Sequence, residues 1–165
     1  MFLDEKCVGV KTGFTDNAGR CLVHATKQDD GMELITVVLN CGNMCDEADR
    51  LNKLACSNFN LVEHVKPYSF VGTININNGS DEQVNVATIK GFKTVVKIGE
   101  EVDYNVEYNM PKIVEAPIKN GDKVGSVIVK YKDQIIFEDN LISIDDVDNI
   151  DFKFMLDNIL NKWYA

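Results

Sequence analysis

The stretch Cys7-Val8-Gly9-Val10-Lys11-Thr12-Gly13-Phe14-Thr15 reads as a β-strand that closes on a Lys-Thr-Gly triplet. Alone, such a triplet is a lysine and a threonine leaving a strand for a turn. The next thirty residues give it weight. Asn17-Ala18-Gly19 and Asp29-Asp30-Gly31 are turn chemistry, the second placed where a hairpin needs it. They separate runs that predict strands over 7–13, 20–27 and 33–40, an antiparallel meander. The run from Leu34 to Leu39 is nearly continuous in apolar residues, as a strand covered on both faces requires. After Gly42 the spacing predicts a helix over 46–60, with Leu51, Leu54, Ala55 and Phe59 turned toward the sheet.

The triplet and the strands after it resemble the end of the catalytic domain of serine D-alanyl-D-alanine carboxypeptidases, the low-molecular-mass penicillin-binding proteins. In that family, and in the related β-lactamases, K-T-G is the third of three elements, after an S-x-x-K carrying the nucleophile and a serine-containing S-x-N type motif. The resemblance implies that Lys11 and Thr12 hold the substrate carboxylate and that Gly13 gives the substrate backbone clearance. The residue types suit that work: an ammonium with three donors, a hydroxyl donor beside it, and no side chain at the third position. Strand alternation sends Lys11 and Thr12 to opposite faces. Both serve one substrate only along a sheet edge, so the motif predicts an edge strand.

The other two elements are missing. Ser57, Ser69, Ser80, Ser126 and Ser143 are the serines of the chain, and none has a lysine three places on or an asparagine two places on. Serine acyl transfer needs a nucleophile beside a base, so no catalytic residue is assigned within this sequence. The expected chain is the C-terminal part of a longer enzyme, inactive alone, starting at a cloned, truncated or internal Met1 and completed by an upstream catalytic segment. A peptidoglycan stem peptide or a β-lactam is the implied ligand of the intact enzyme. A different reading stays open: a non-catalytic cell-wall or membrane-surface module in which K-T-G is a relic.

From about Val65 to Val147, β-like runs recur at intervals of roughly ten residues, separated by turns such as Asn77-Asn78-Gly79-Ser80 and Lys119-Asn120-Gly121-Asp122. Their alternation predicts a small antiparallel sandwich. The segment Glu115-Ala116-Pro117-Ile118-Lys119-Asn120-Gly121-Asp122-Lys123-Val124-Gly125 resembles one that these carboxypeptidases carry in their C-terminal β-domain and that β-lactamases lack. The resemblance makes that domain a spacer between the catalytic domain and the membrane, and the acids Asp145, Asp146 and Asp148 read as solvated surface. In the tail, Phe152, Met155, Leu156, Ile159 and Trp163 follow helical spacing. They are candidate membrane-surface anchors, with docking on protein as the other reading of the same helix.

The expected fold class is thus an α+β fragment of a penicillin-binding/β-lactamase-like domain, antiparallel strands plus a helix, followed by an all-β sandwich and a C-terminal amphipathic helix. The domain boundaries are 1–64, 65–148 and 149–165. In the family, a helical subdomain lies against the first sheet. Without it the sheet exposes apolar surface, which invites an upstream partner or a swapped homodimer.

Composition narrows the class. Hydrophobic residues make up 45% of the chain, enough for real cores, while the net charge of -9 speaks against nucleic acid, whose phosphates need basic stripes. There is no basic-flanked apolar leader in this chain, so the extracytoplasmic, cell-envelope location implied by the family needs a signal outside it. No cofactor or metal is called for: Cys41 and Cys45 have no matching second pair, and the two histidines, His24 and His64, stand apart. The five cysteines read as buried free thiols, His24 as a strand residue, and Arg50 as part of a solvated helix face.

Overall fold

The computed structural model of the chain describes residues 5–152 and 154–156. These fall into two compact units, one built from the chain up to Val62 together with Thr94–Glu101, the other from Glu63–Lys93 together with the chain from Val102 on.

In the first unit, β1 (Cys7–Thr15), β2 (Gly19–Lys27) and β3 (Glu33–Val38) form an antiparallel sheet in that order, followed by helix α1 (Met44–Asn58). The turns are set by their residues. Gly19 and Gly31 take positive φ, Thr15 Oγ1 accepts the Ala18 N–H at 3.0 Å, and Asp30 Oδ1 accepts the Met32 N–H at 2.9 Å. Helix α1 covers one face of the sheet: Leu22, Val38 and Ala48 are buried together, with Cys41, Met44 and Leu51 against them. Burying a side chain such as Leu22 is worth roughly 1.5–3 kcal/mol. Acids at Asp46 and Glu47 suit the positive end of the helix. At its other end Ser57 Oγ and Asn58 Nδ2 both donate to Leu54 O, and the chain leaves at once into β4 (Phe59–Val65).

The helix buries a different stripe from the one its large residues predict. Leu54 stays half exposed and Phe59 belongs to β4, while Ala48 and Asn52 are buried. The reason is polar. Asn52 Oδ1 accepts the Thr36 hydroxyl at 2.5 Å, and its amide lies 3.2 Å from His24 Nδ1. With Oδ1 committed to Thr36, the amide donates and Nδ1 accepts, so the His24 ring carries its proton on Nε2. His24 is accordingly a buried residue of β2. The opposite face of the sheet is open: Val23, Ile35 and Val37 lie there, Ile35 with 74% exposure. The cysteines are free but not buried; Cys7, Cys21 and Cys41 are partly covered, and Cys45 and Cys56 are exposed.

In the second unit six strands hydrogen-bond in a single order, β8-β10-β11-β6-β5-β9. They are β5 (Phe70–Asn77), β6 (Gln83–Thr88), β8 (Tyr104–Asn109), β9 (Ile113–Glu115), β10 (Lys123–Tyr131) and β11 (Gln134–Ser143). All neighbours are antiparallel except β5 and β9. This corrects the expectation of two facing sheets. Register shifts at Phe70/Gly72, Lys123/Gly125 and Val129/Lys130 bend the strands, and one sheet curls around its own core. Ile74, Ile76, Val84, Val86, Val127, Val129 and Leu141 alternate inward, joined by Ile118 and Val147 from the loops. Gly125 permits the bend, since a Cβ there would lie 2.6 Å from Asn109 O. β11 is a single strand of ten residues, and β7 (Phe92–Lys97) pairs with β4 and not with this sheet.

The acids that read as solvated have backbone and side-chain partners. Asp146 Oδ1 accepts the Asn120 N–H and Asp145 Oδ2 the Asn85 N–H of β6, and within the 115–125 segment Asp122 Oδ2 accepts the Lys119 N–H, all at 2.8–2.9 Å. Lys119 Nζ meets Asp148 at 2.7 Å, and that hydrogen bond raises the Lys119 pKa. Asp122, Asp145 and Asp146 thus satisfy backbone donors of a turn and of strand β6. In the tail, Asp151 Oδ1 accepts the Phe154 N–H at 2.8 Å, starting a helical turn in which Phe152, Met155 and Leu156 are exposed. Ile159 and Trp163 lie outside the described residues.

Candidate functional site

The Lys-Thr-Gly triplet sits on β1, at the edge of its sheet. In the ladder Lys11 stands opposite Val23, Thr12 opposite Leu22 and Gly13 opposite Cys21. Lys11 therefore shares the open face with Val23 and Val37, and Thr12 the face that α1 covers farther in, over β2 and β3. The helix packs on β2 and β3, and Lys11, Thr12 and Gly13 are all exposed. The Lys11 ammonium turns back onto Thr12 O at 2.7 Å, along the strand edge. A Cβ on Gly13 would meet nothing within 4 Å, and its φ lies outside the left-handed region. The chain's own packing has no need of a glycine there.

That edge can offer a cation, a hydroxyl and unpaired backbone groups to an anionic extended ligand. It carries no serine. The one serine in the first unit is Ser57, engaged with Leu54 O at 2.9 Å at the end of α1. Arg50 is tied to Glu47 on the same helix, at 2.6 and 2.9 Å, and these hydrogen bonds hold the Glu47 carboxyl below its ordinary range. The residues that sequence reasoning missed are Asn52 and Thr36. An asparagine at helical spacing from Ala48 is the one signal that pointed to them, and it is a faint one.

Residues 59–149 match the family model described as penicillin-binding protein 5, C-terminal domain. This chain belongs to that family. Residues 2–43 match the model for D-alanyl-D-alanine carboxypeptidase, so the K-T-G strand and the curled sheet derive from the two parts of one kind of protein. The chain is 24% identical over 94% of its length to D-alanyl-D-alanine carboxypeptidase DacF of Bacillus subtilis, covering 41% of that protein. It is 28% identical over 84% of its length to D-alanyl-D-alanine carboxypeptidase DacD of Escherichia coli, covering 37% of it. Among solved structures, penicillin binding protein 5 from Haemophilus influenzae superposes with a TM-score of 0.58, at 22% identity, over 86% of this chain and 43% of that one. That likeness is one of fold. The chain thus spans well under half the length of these carboxypeptidase relatives.

Proposed function

We infer that this chain is the C-terminal portion of a D-Ala-D-Ala carboxypeptidase that removes the terminal D-alanine from peptidoglycan stem peptides by serine acyl transfer. The observation that carries the reading is an exposed K-T-G triplet on an edge strand, within residues that match the carboxypeptidase model. In this reading Lys11 pairs with the peptide carboxylate, having exchanged its bond to Thr12 O for a charged acceptor. Thr12 adds its hydroxyl, and Gly13 leaves room for the ligand backbone. The nucleophile and its base are supplied by residues outside this sequence, and the chain alone does not turn over.

We divide the chain at 1–64, 65–148 and 149–165. The second segment serves as the rigid spacer and the third as the surface anchor of an extracytoplasmic, envelope-associated enzyme. The exposed Phe152, Met155 and Leu156 support the anchor. Among the described residues no helix is long and apolar enough to cross a membrane.

Intact mass after incubation with a labelled penicillin tests the reading, using the chain alone and then mixed with a separately produced upstream segment that carries S-x-x-K. The expected outcome is no adduct alone and an adduct on the partner in the mixture, weakened by Lys11→Gln. An adduct on this chain alone would overturn the assignment of roles. Association of the two pieces without any adduct would favour a non-catalytic module.

A further inference from the structure

We propose that the second unit carries a binding cleft for a sugar bearing a carboxylate. The cleft, about 300 Å³, is lined wholly by residues of that unit, among them His64, Lys66, Ser69, Phe70, Thr88 and Tyr108. Its volume is at the small end of ligand sites and accommodates one substituted ring.

Three features of the lining select the ligand. The first is unburied aromatic surface. Phe70 is 61% exposed and Tyr108 43%, whereas Phe92 is stacked on Phe137 at 4.8 Å. A pyranose presents a face of C–H groups with hydroxyls at its rim, and it needs a flat apolar wall with polar groups beside it. Ser69 and Tyr108, both hydroxyl-bearing, are among the residues that line the cleft. Burial lowers the His64 pKa, so near neutral pH its imidazole adds polarity without charge.

The second feature is charge. The carboxylate in the cleft, Glu63, is taken by Lys93 at 3.2 Å. Lys66 makes no ion pair among the described residues, in a chain whose net charge is -9. A cation left without a partner in a concave site of an acidic protein fits an anionic substituent.

The third is rigidity. The buried Thr88 hydroxyl donates to Lys66 O at 2.6 Å and accepts the Ser69 N–H at 2.9 Å, and its own N–H donates to Ser69 O at 3.1 Å. This clamp fixes the loop that presents Lys66 and Phe70 and holds Tyr68 at a φ of 51°. Gly91 lies under the same loop, where a Cβ would come within 2.7 Å of Pro67 Cδ. The lining is therefore preorganised, which lowers the entropic cost of binding. No residue of the K-T-G strand takes part, so the cleft stands or falls independently of the carboxypeptidase reading.

The test is amide NMR on the isotopically labelled full chain at fixed ionic strength, with three probes. These are N-acetylmuramic acid, N-acetylglucosamine as the ring without the acid, and lactate as the acid without the ring. The acidic sugar is expected to shift His64, Lys66, Ser69, Phe70, Thr88 and Tyr108 together. Lys66→Gln and Phe70→Ala should each weaken it by about tenfold, as loss of one charge-assisted or aromatic contact implies, with Lys112→Gln as an unchanged control. N-acetylglucosamine should bind about tenfold more weakly, and lactate should not saturate. Scattered or absent shifts would overturn the proposal, as would equal affinity for the variants, for the neutral ring or for lactate. The amide spectrum itself reports whether each variant is folded.

Discussion

Replacing Gly13 by alanine separates what the strand needs from what a ligand needs. A methyl group at this position meets no atom within 4 Å, and the backbone there is one that any residue adopts. The substitution therefore adds no clash and reduces the freedom of the unfolded chain, which stabilises by about 0.4–1 kcal/mol at compatible sites. A ligand drawn over the strand by Lys11 would find the methyl in its path. Each tenfold loss of rate corresponds to about 1.4 kcal/mol in the barrier, a modest cost for one badly placed carbon, so acylation by a β-lactam should fall at least roughly tenfold. Stability would be read by urea unfolding of the chain and acylation by mass in the mixture with the upstream segment. The two effects have opposite signs. A loss of stability beyond about 1 kcal/mol would refute the reasoning by showing that the fold itself needs the glycine. Unchanged acylation would remove Gly13 from the site.

Asn52→Leu strands the Thr36 hydroxyl under α1, removes the amide that meets His24 Nδ1, and should cost about 2–4 kcal/mol by native-state hydrogen exchange of β2 and β3. Adding Thr36→Val should recover about 1 kcal/mol of it, and simple addition of the two losses would show that no coupled network exists. Lipid vesicles should retain the whole chain and release a chain ending at residue 149; equal retention would dispose of the anchor. The open sheet face with Val23, Ile35 and Val37 should drive concentration-dependent association of the chain alone, reversed by Ile35→Glu. A monodisperse monomer in light scattering at all concentrations would end the homodimer reading.

Much of the architecture is legible in the chain itself. The hairpin turns at Asn17-Ala18-Gly19 and Asp29-Asp30-Gly31, the strands they join and the helix after Gly42 lie within a few residues of their expected bounds. These are features of local chemistry: positive φ at glycine, side-chain acceptors in turns, apolar period. The resemblance at the K-T-G strand is likewise carried by near neighbours, the triplet together with the turns and strands that follow it. Less visible are β4, which succeeds the helix without a glycine or proline to announce it, and the pairing of β7 with β4.

Partnership between distant groups was settled by tertiary packing. Nothing in the spacing of Leu51 and Leu54 says that α1 would turn Asn52 inward, because the preference comes from Thr36 and His24 on two other strands. Nor does alternation tell one curled sheet from two facing ones. Both bury every second residue, and the choice rests on bulges at Gly72, Gly125 and Lys130 that exist only once strands are paired. The same holds for the acids at Asp145 and Asp146, whose backbone donors lie far away along the chain. Local conformation and family could be read from the residues in order, because those properties reside in near neighbours. Which polar groups satisfy one another was left to the fold, because burial forces each to find a partner wherever the chain brings one.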